Sequence, residues 1–216
     1  MNYKTKKIAA VAMLSALAYV VMLVGRISIV PGLSFLKYDP KDVIVVIGGF
    51  AFGPLSAFLI SAITSILEIP VSTSGIWGCV MNILSTCAFA VTASLIYKKF
   101  RSLAGAVAGL LCGIVAATGI MILWDYIVLP IYMAMPREAV VPYLIPSILP
   151  FNLLKTGINA ALAFLLYKPF MLALRHSGLI EKHPEGKKYK FNFLIPAAVL
   201  VIVTCVLIIL AMNKII

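Results

Sequence analysis

Long apolar stretches dominate this chain and constrain its fold more than any other feature. They cover residues 8–25, 43–69, 76–97, 102–130, 147–167 and 193–212. Most are long enough to cross a hydrocarbon core of about 30 Å as a helix, and they lack amphipathic periodicity. With 63% hydrophobic and 12% charged residues, the composition is not that of an ordinary soluble domain. The sequence therefore predicts an all-α integral membrane protein.

The basic residues set the orientation of these stretches. The net charge of +11 could suggest nucleic acid as a partner, but lysines and arginines gather in short loops, which the positive-inside rule explains. Basic groups at 4–7 and 98–101 place both segments inside, which three single crossings cannot do. We therefore predict that 43–69 crosses twice and turns at Gly53-Pro54, because proline cannot continue a helix there. Six crossings then end near residue 170, followed by a basic cytoplasmic loop at 171–192 and a further span at 193–213.

Lys155 indicates a binding site, because it lies inside an apolar span. A cation at that depth costs roughly 2.5–3.5 kcal/mol, so it usually faces a partner or a polar cavity. Asn152 and Asn159 share its helix face at i−3 and i+4. Asp125, near the outer end of the preceding span, is the acidic candidate partner. The sequence predicts a solute site in the outer half of the membrane; a snorkelling lysine and an incidental interfacial acid are the alternatives.

Other polar residues border the same outer region. Asn82 is expected either to bind a ligand or to hydrogen-bond a neighbouring helix. Glu68, at the end of its span, is expected at the rim. Asp42 is expected to cap a helix that begins at Val43.

The spans carry no paired carboxylates, histidine cluster or Ser-His-Asp set, and no Walker A string. Neither enzyme chemistry nor ATP hydrolysis is therefore expected, and the four cysteines have no metal-ligand spacing. A binding site without an energy source indicates a subunit that uses the energy of partners. Ala12 and Ala16 form a small-xxx-small pair that permits close helix contact, either within the chain or with such a partner.

Several strings in the sequence occur together in a known order. They are Phe35-Leu36-Lys37-Tyr38-Asp39 with Asp42, Ile47-Gly48-Gly49-Phe50-Ala51-Phe52-Gly53-Pro54, Ser72-Thr73-Ser74-Gly75, Tyr126 with Leu129-Pro130, and Pro150-Phe151-Asn152-Leu153-Leu154-Lys155. Over most of residues 8–170 the chain resembles the substrate-binding S-components of energy-coupling-factor (ECF) transporters, specifically the riboflavin-binding type.

The resemblance implies a six-helix S-component bundle over residues 1–170, to which the additional C-terminal helix is appended. It implies capture of riboflavin at the outer face of a bacterial plasma membrane and inward delivery with a coupling subunit and two ATPases. Riboflavin is then the transported ligand, and no cofactor or metal is expected. The implied substrate-binding residues are Leu36, Lys37, Tyr38, Asp39, Gly75, Asn82, Asp125, Asn152 and Lys155, and Ala12 and Ala16 are the implied contact with the coupling subunit.

Two alternatives remain open at this point. One is an S-component for FMN or another vitamin; basic residues near the outer loops, Arg26, Lys37 and Lys41, would favour a phosphate. The other is a membrane structural or assembly protein in which Lys155 and Asp125 form an internal strut.

Overall fold

The computed structural model describes residues 3–29, 36–72, 74–180 and 194–212, and most of them are helical. The helices are α1 (Tyr3–Gly25), α2 (Lys41–Phe52), α3 (Pro54–Glu68), α4 (Gly75–Lys99), α5 (Leu103–Tyr132), α6 (Arg137–Tyr143), α7 (Leu149–His176) and α8 (Leu194–Met212). Strands β1 (Ile27–Ser28) and β2 (Lys37–Tyr38) pair antiparallel. A 3₁₀ turn, Ile69–Val71, follows α3, and a π-turn, Leu144–Ile148, leads into α7. Within these residues, five helical segments are long and apolar enough to cross a membrane. The predicted all-α membrane bundle is confirmed.

The stretch 43–69 is broken at Gly53, as the sequence predicts. Gly53 has a φ of 94°, which favours glycine, and its N–H donates to the carbonyl of Gly49 at 2.8 Å. Pro54 then occupies the first turn of α3, where its missing N–H costs nothing. With 12 residues, α2 is shorter than the hydrocarbon core, whereas the 15 residues of α3 are extended to Val71 by the 3₁₀ turn.

The short helix α2 is enclosed by protein, which explains how it tolerates that length. Every residue of α2 except Ala51 is buried. It packs against α1, α3, α4 and α7, so protein surrounds it. As the central helix of the bundle, α2 brings its first turn next to α7.

An aromatic cluster shows which end of the bundle holds the Gly53 turn. Phe50, Tyr97 and Tyr167 have ring centroids 4.6–5.9 Å apart, and the hydroxyls of Tyr97 and Tyr167 lie 2.6 Å apart. Phe50 lies just before Gly53, Tyr97 just before the basic residues at 98–101, and Tyr167 just before Lys168. The turn therefore lies at the same end as the basic loops, as a double crossing requires.

Helix α7 runs to His176, so it continues past the predicted boundary at residue 170. The basic loop predicted at 171–192 overlaps its end, and 181–193 lie outside the described residues. Helix α8 falls within the predicted span 193–213 and packs along α7, where Cys205 and Ile209 join the apolar cluster that contains Ile158.

Candidate functional site

A cleft opens where the β1–β2 ribbon meets the ends of α3, α4 and α7 that lie opposite the aromatic cluster. Counted with the solvent at its mouth, its empty space is about 540 Å³. Its described lining residues are Arg26, Leu36, Lys37, Asp39, Glu68, Ser72, Ser74, Gly78, Met81, Asn82, Ser85, Met121, Phe151, Asn152 and Lys155. The wall therefore mixes charged groups, amides and hydroxyls with thioether and aromatic surface.

The cleft brings together six of the nine residues that the sequence predicts to bind substrate. They are Leu36, Lys37, Asp39, Asn82, Asn152 and Lys155. The other three lie outside its wall. Tyr38 is buried behind it, and Gly75, with a φ of 51°, begins α4 just beyond Ser74. Asp125 is buried on α5 and does not line the cleft.

The predicted polar face of α7 points into the protein. Asn152, Lys155 and Asn159 are 2%, 4% and 0% exposed. The amide of Asn152 donates to the carbonyl of Ile148 at 2.9 Å, whereas Asn159 bonds to residues of the ribbon and of α2. Lys155 lies between them and reaches the cleft wall, so it is not a snorkelling surface lysine.

The predicted ion pair between Lys155 and Asp125 is wrong. Lys155 Nζ lies 3.7 Å from Asp42 Oδ2. Asp125 is 2% exposed, and its Oδ2 has no hydrogen-bond partner in the described part of the chain. The physical reason is the central position of α2, whose first turn packs against α7 and supplies the nearer carboxylate.

The predicted capping role of Asp42 is also wrong. Helix α2 begins at Lys41, and Pro40 at the N-cap makes no side-chain hydrogen bond. The carboxylate of Asp42 instead accepts hydrogen bonds from Thr86 Oγ1 at 2.7 Å and from Asn159 Nδ2 at 3.3 Å. Asp42 therefore connects α2 to α4 and α7 within the core.

Glu68 is also not the rim residue that the sequence predicts. It is 2% exposed, and it accepts a hydrogen bond from Lys41 Nζ at 2.6 Å. The amide nitrogen of Asn82 donates to both of its oxygens, at 2.9 and 3.0 Å, and the guanidinium of Arg26 also pairs with it. Glu68 thus joins α3 to α2, α4 and the end of α1.

Asp39, the residue after β2, completes this ionic cluster. Its Oδ2 lies 3.1 Å from a guanidinium nitrogen of Arg26 and 3.2 Å from Lys41 Nζ. Its Oδ1 accepts the backbone N–H of Lys41 at 3.2 Å. Together with the pair at α7, the region contains three basic and three acidic side chains, so their formal charges sum to zero. Attraction between the opposite charges offsets part of the desolvation cost of burying them.

These neighbours control the ionisation of the residues outside the helices. Burial by itself would raise the pKa of Asp39, but the positive charges of Lys41, Lys155 and Arg26 lower it below its usual value. Burial, together with the carboxylates of Asp42 and Asp39, raises the pKa of Tyr38. Tyr38 therefore stays a neutral donor, and its hydroxyl donates to Asn159 Oδ1 at 2.9 Å. Asp39 stays an anion at neutral pH.

Sequence reasoning did not identify Arg26, Lys41 and Glu68 as parts of one cluster. Each stands at the end of an apolar helix, where a charge commonly faces water. The one available signal was the presence of both acids and bases at these outer helix ends, and it does not say which charges pair.

Ala12 and Ala16 are both exposed on α1. The buried face of that helix contains Leu14, Ala18 and Met22. The pair therefore does not pack inside the described bundle, which leaves it open to lipid or to a partner helix.

Comparison with known proteins agrees with the fold and the site. The family described as "ECF transporter, substrate-specific component" matches residues 6–167. The chain is 32% identical over 182 residues to the riboflavin transporter FmnP of Bacillus subtilis (strain 168), covering 78% of this chain and 95% of that protein. It is 27% identical over 172 residues to the riboflavin transporter RibU of Staphylococcus aureus (strain TCH60), covering 76% and 90%.

A solved structure reported as "Structure and mechanism of the S component of a bacterial ECF transporter" superimposes with a TM-score of 0.67. It is 27% identical and covers 80% of this chain and 99% of its own. The apolar helices and these relatives make the chain a multi-pass protein of the bacterial cell membrane. Since the family match spans most of the bundle and includes the helices that form the cleft, the chain belongs to the substrate-specific components of ECF transporters.

Proposed function

We propose that this chain captures riboflavin in the cleft from the outer side of the membrane. The observation that carries the proposal is Lys155, a buried ammonium in the wall of an open cleft, flanked by amide side chains. Relatives named as riboflavin transporters support the choice of vitamin.

The chemistry of the cleft suits a flavin ring. An isoalloxazine is flat and apolar on its faces, and its edge carries carbonyl acceptors and one imide N–H. The ammonium of Lys155 can donate to a carbonyl, and Asn82 and Asn152 can donate or accept. Met121 and Phe151 supply apolar surface for the ring. Polar groups that fix a ligand's orientation beside apolar surface that contacts its ring are typical of small-molecule sites.

FMN is the less favoured ligand, because two of the three cations that could bind its phosphate are already compensated. Arg26 pairs with Asp39 and Glu68, and Lys41 pairs with the same two carboxylates. Riboflavin, which has no phosphate, fits this balanced wall better.

The structural-protein alternative is disfavoured by the cleft itself. An internal strut between Lys155 and Asp125 is absent, and Lys155 lies at an open cavity. In the proposed transporter, a coupling subunit contacts α1 at Ala12 and Ala16, and two ATPases supply the energy for inward delivery. Riboflavin is cargo in this scheme and not a prosthetic group.

The test is a riboflavin titration of detergent-solubilised protein, followed by quenching of flavin fluorescence. Lys155→Met should weaken binding by at least tenfold, since a hydrogen bond to a charged group contributes about 1.5–3 kcal/mol. Lys168→Met is the matched control, because it makes the same change on the same helix near the basic end, and its affinity should equal that of the wild type.

Absence of quenching by the wild-type protein would rule out riboflavin as the ligand. Equal affinities for Lys155→Met and the wild type would exclude the role of the lysine. FMN, titrated in parallel, should bind more weakly than riboflavin.

A further inference from the structure

The ion pair between Lys155 and Asp42 differs from the other pairs of the site. In the ionic cluster of Arg26, Asp39, Lys41 and Glu68, Lys41 approaches its two carboxylates to 2.6 and 3.2 Å, which are hydrogen-bond distances. Lys155 Nζ stays 3.7 Å from Asp42 Oδ2, and the contacts among the described residues include no hydrogen bond from it. Its N–H groups are therefore not committed to that carboxylate, although its charge is compensated.

The carboxylate of Asp42 is held where it is by other groups. Thr86 donates to Oδ1 at 2.7 Å, and Asn159 donates to Oδ2 at 3.3 Å. Asn159 is itself fixed, because it accepts the Tyr38 hydroxyl at 2.9 Å and donates to the carbonyl of Asp39 at 3.1 Å. All of these side chains are at least nine-tenths buried. The carboxylate is thus anchored from α4, α7 and the ribbon.

We propose that Asp42 is a positioning residue for ligand capture. It compensates the charge of Lys155 inside the protein, and its anchored geometry leaves the ammonium donors available to an acceptor atom in the cleft. The inference rests on the proposed function insofar as that acceptor is a carbonyl of riboflavin. Thr86 and Asn159 support the role by orienting the carboxylate.

Asp39 is the other carboxylate that acts on Lys155. It is engaged by Arg26 and Lys41 at hydrogen-bond distance, so it does not replace Asp42 as the partner of the lysine. Loss of the Asp42 carboxylate should therefore leave Lys155 without its nearest counter-ion.

The first experiment needs no ligand. Competitive acetylation of the solubilised protein with acetic anhydride at mildly alkaline pH, read by mass spectrometry, reports the neutral amine of each lysine. In Asp42→Asn, Lys155 should react at least about threefold faster than in the wild type, because its amine has lost the nearest carboxylate. Exposed Lys4 is the internal reference. Asp125→Asn is the matched control for labelling, because it neutralises another buried acid that does not contact Lys155, and it should leave the rate unchanged.

The second experiment is a double-mutant cycle of riboflavin affinity. Asp42→Asn alone should weaken binding about tenfold, and Asp42→Asn combined with Lys155→Met should bind no more weakly than Lys155→Met alone. A merely structural role would give additive losses. Thr86→Val keeps the Asp42 carboxylate and removes one hydrogen bond to it. It should shift the acetylation rate and the riboflavin affinity in the same direction as Asp42→Asn, by a smaller factor. It replaces Asp42→Asn if that variant fails to fold.

The outcomes separate the two proposals. An unchanged rate of Lys155 acetylation in both variants, or additive losses in the cycle, would overturn the positioning role whatever the ligand is. If acetylation depends on Asp42 but the wild type binds no riboflavin, the positioning role stands and riboflavin is the wrong ligand.

Discussion

At the scale of single residues, the site depends on matched burial of opposite charges. Asp39 is 1% exposed and contacts both Arg26 and Lys41, so removal of its charge leaves two cations short of one partner. Breaking a buried ion pair costs roughly 3–5 kcal/mol, which is more than most substitutions cost. Each of these residues therefore matters for stability as well as for the shape of the cleft.

We predict that the stability of the protein depends on pH through Asp39. Its pKa is lowered in the folded protein, so its contribution is present above the unfolded value of about 3.9 and is lost as pH falls toward the folded value. Asp39→Asn should melt well below the wild type at neutral pH, and the gap should narrow as pH falls below about 4. Thermal unfolding of the two proteins, followed by intrinsic fluorescence, measures this difference in melting temperature at each pH. Glu138→Gln, a change at an exposed residue, is the control. A difference in melting temperature that stays constant with pH would contradict the prediction.

At the scale of elements, the buried face of a helix packs in the bundle, and its exposed face is available for other contacts. The first helix packs Leu14, Ala18 and Met22 inward and leaves Ala12 and Ala16 exposed one turn apart. Small residues on an exposed helix face allow a partner helix to approach closely in a membrane, where packing and not the hydrophobic effect drives association.

We predict that Ala12→Leu with Ala16→Leu blocks the coupling subunit and spares the cleft. The added methylenes at a close helix contact cannot be absorbed cheaply. Uptake of riboflavin by cells and copurification of the coupling subunit should fall together, while binding by the isolated protein should stay at the wild-type level. Ala104→Leu with Ala108→Leu is the matched control, because these α5 alanines are also exposed and one turn apart. Loss of binding along with uptake would place the pair in the folding core, and normal uptake would place the docking surface elsewhere.

At the scale of the whole molecule, the bundle has two chemically distinct ends. The cleft and its ionic cluster occupy one end, and the aromatic cluster beside the basic loops occupies the other. Lys6 Nζ donates to the carbonyl of Gly178 at 3.2 Å, which places the N-terminus at the basic end as well. The arrangement matches six crossings with the cleft facing outward.

We predict the sidedness of three positions in intact cells. In a background with the four cysteines replaced, a membrane-impermeant thiol reagent should label a cysteine at position 74 from outside. Cysteines at positions 54 and 101 should react only after the cytoplasmic side is exposed, because the Gly53 turn and the loop at 98–101 share one end of the bundle. Labelling of position 54 from outside would overturn the double crossing.

The sequence by itself determined the features that depend on short stretches of chain. Apolar length and loop charge predicted the spans and the break at Gly53, because the bilayer imposes length and the positive-inside rule imposes orientation. The spacing of Asn152, Lys155 and Asn159 predicted a common face, because helical periodicity places i−3 and i+4 residues together. Resemblance to the family added Leu36, Lys37 and Asp39, which also line the cleft.

Only the tertiary structure decided which distant charges meet. The sequence predicted Asp125 as the partner of Lys155 and Asp42 as a helix cap, because separation along the chain says nothing about helix packing. The structure selects Asp42 because α2 is the central helix and its first turn faces α7. Glu68 ends an apolar helix, a position compatible with water or with the interior, and the contacts of Arg26, Lys41 and Asn82 draw it inside. Pairing across a bundle is set by packing of the helices as a whole, which no local pattern encodes.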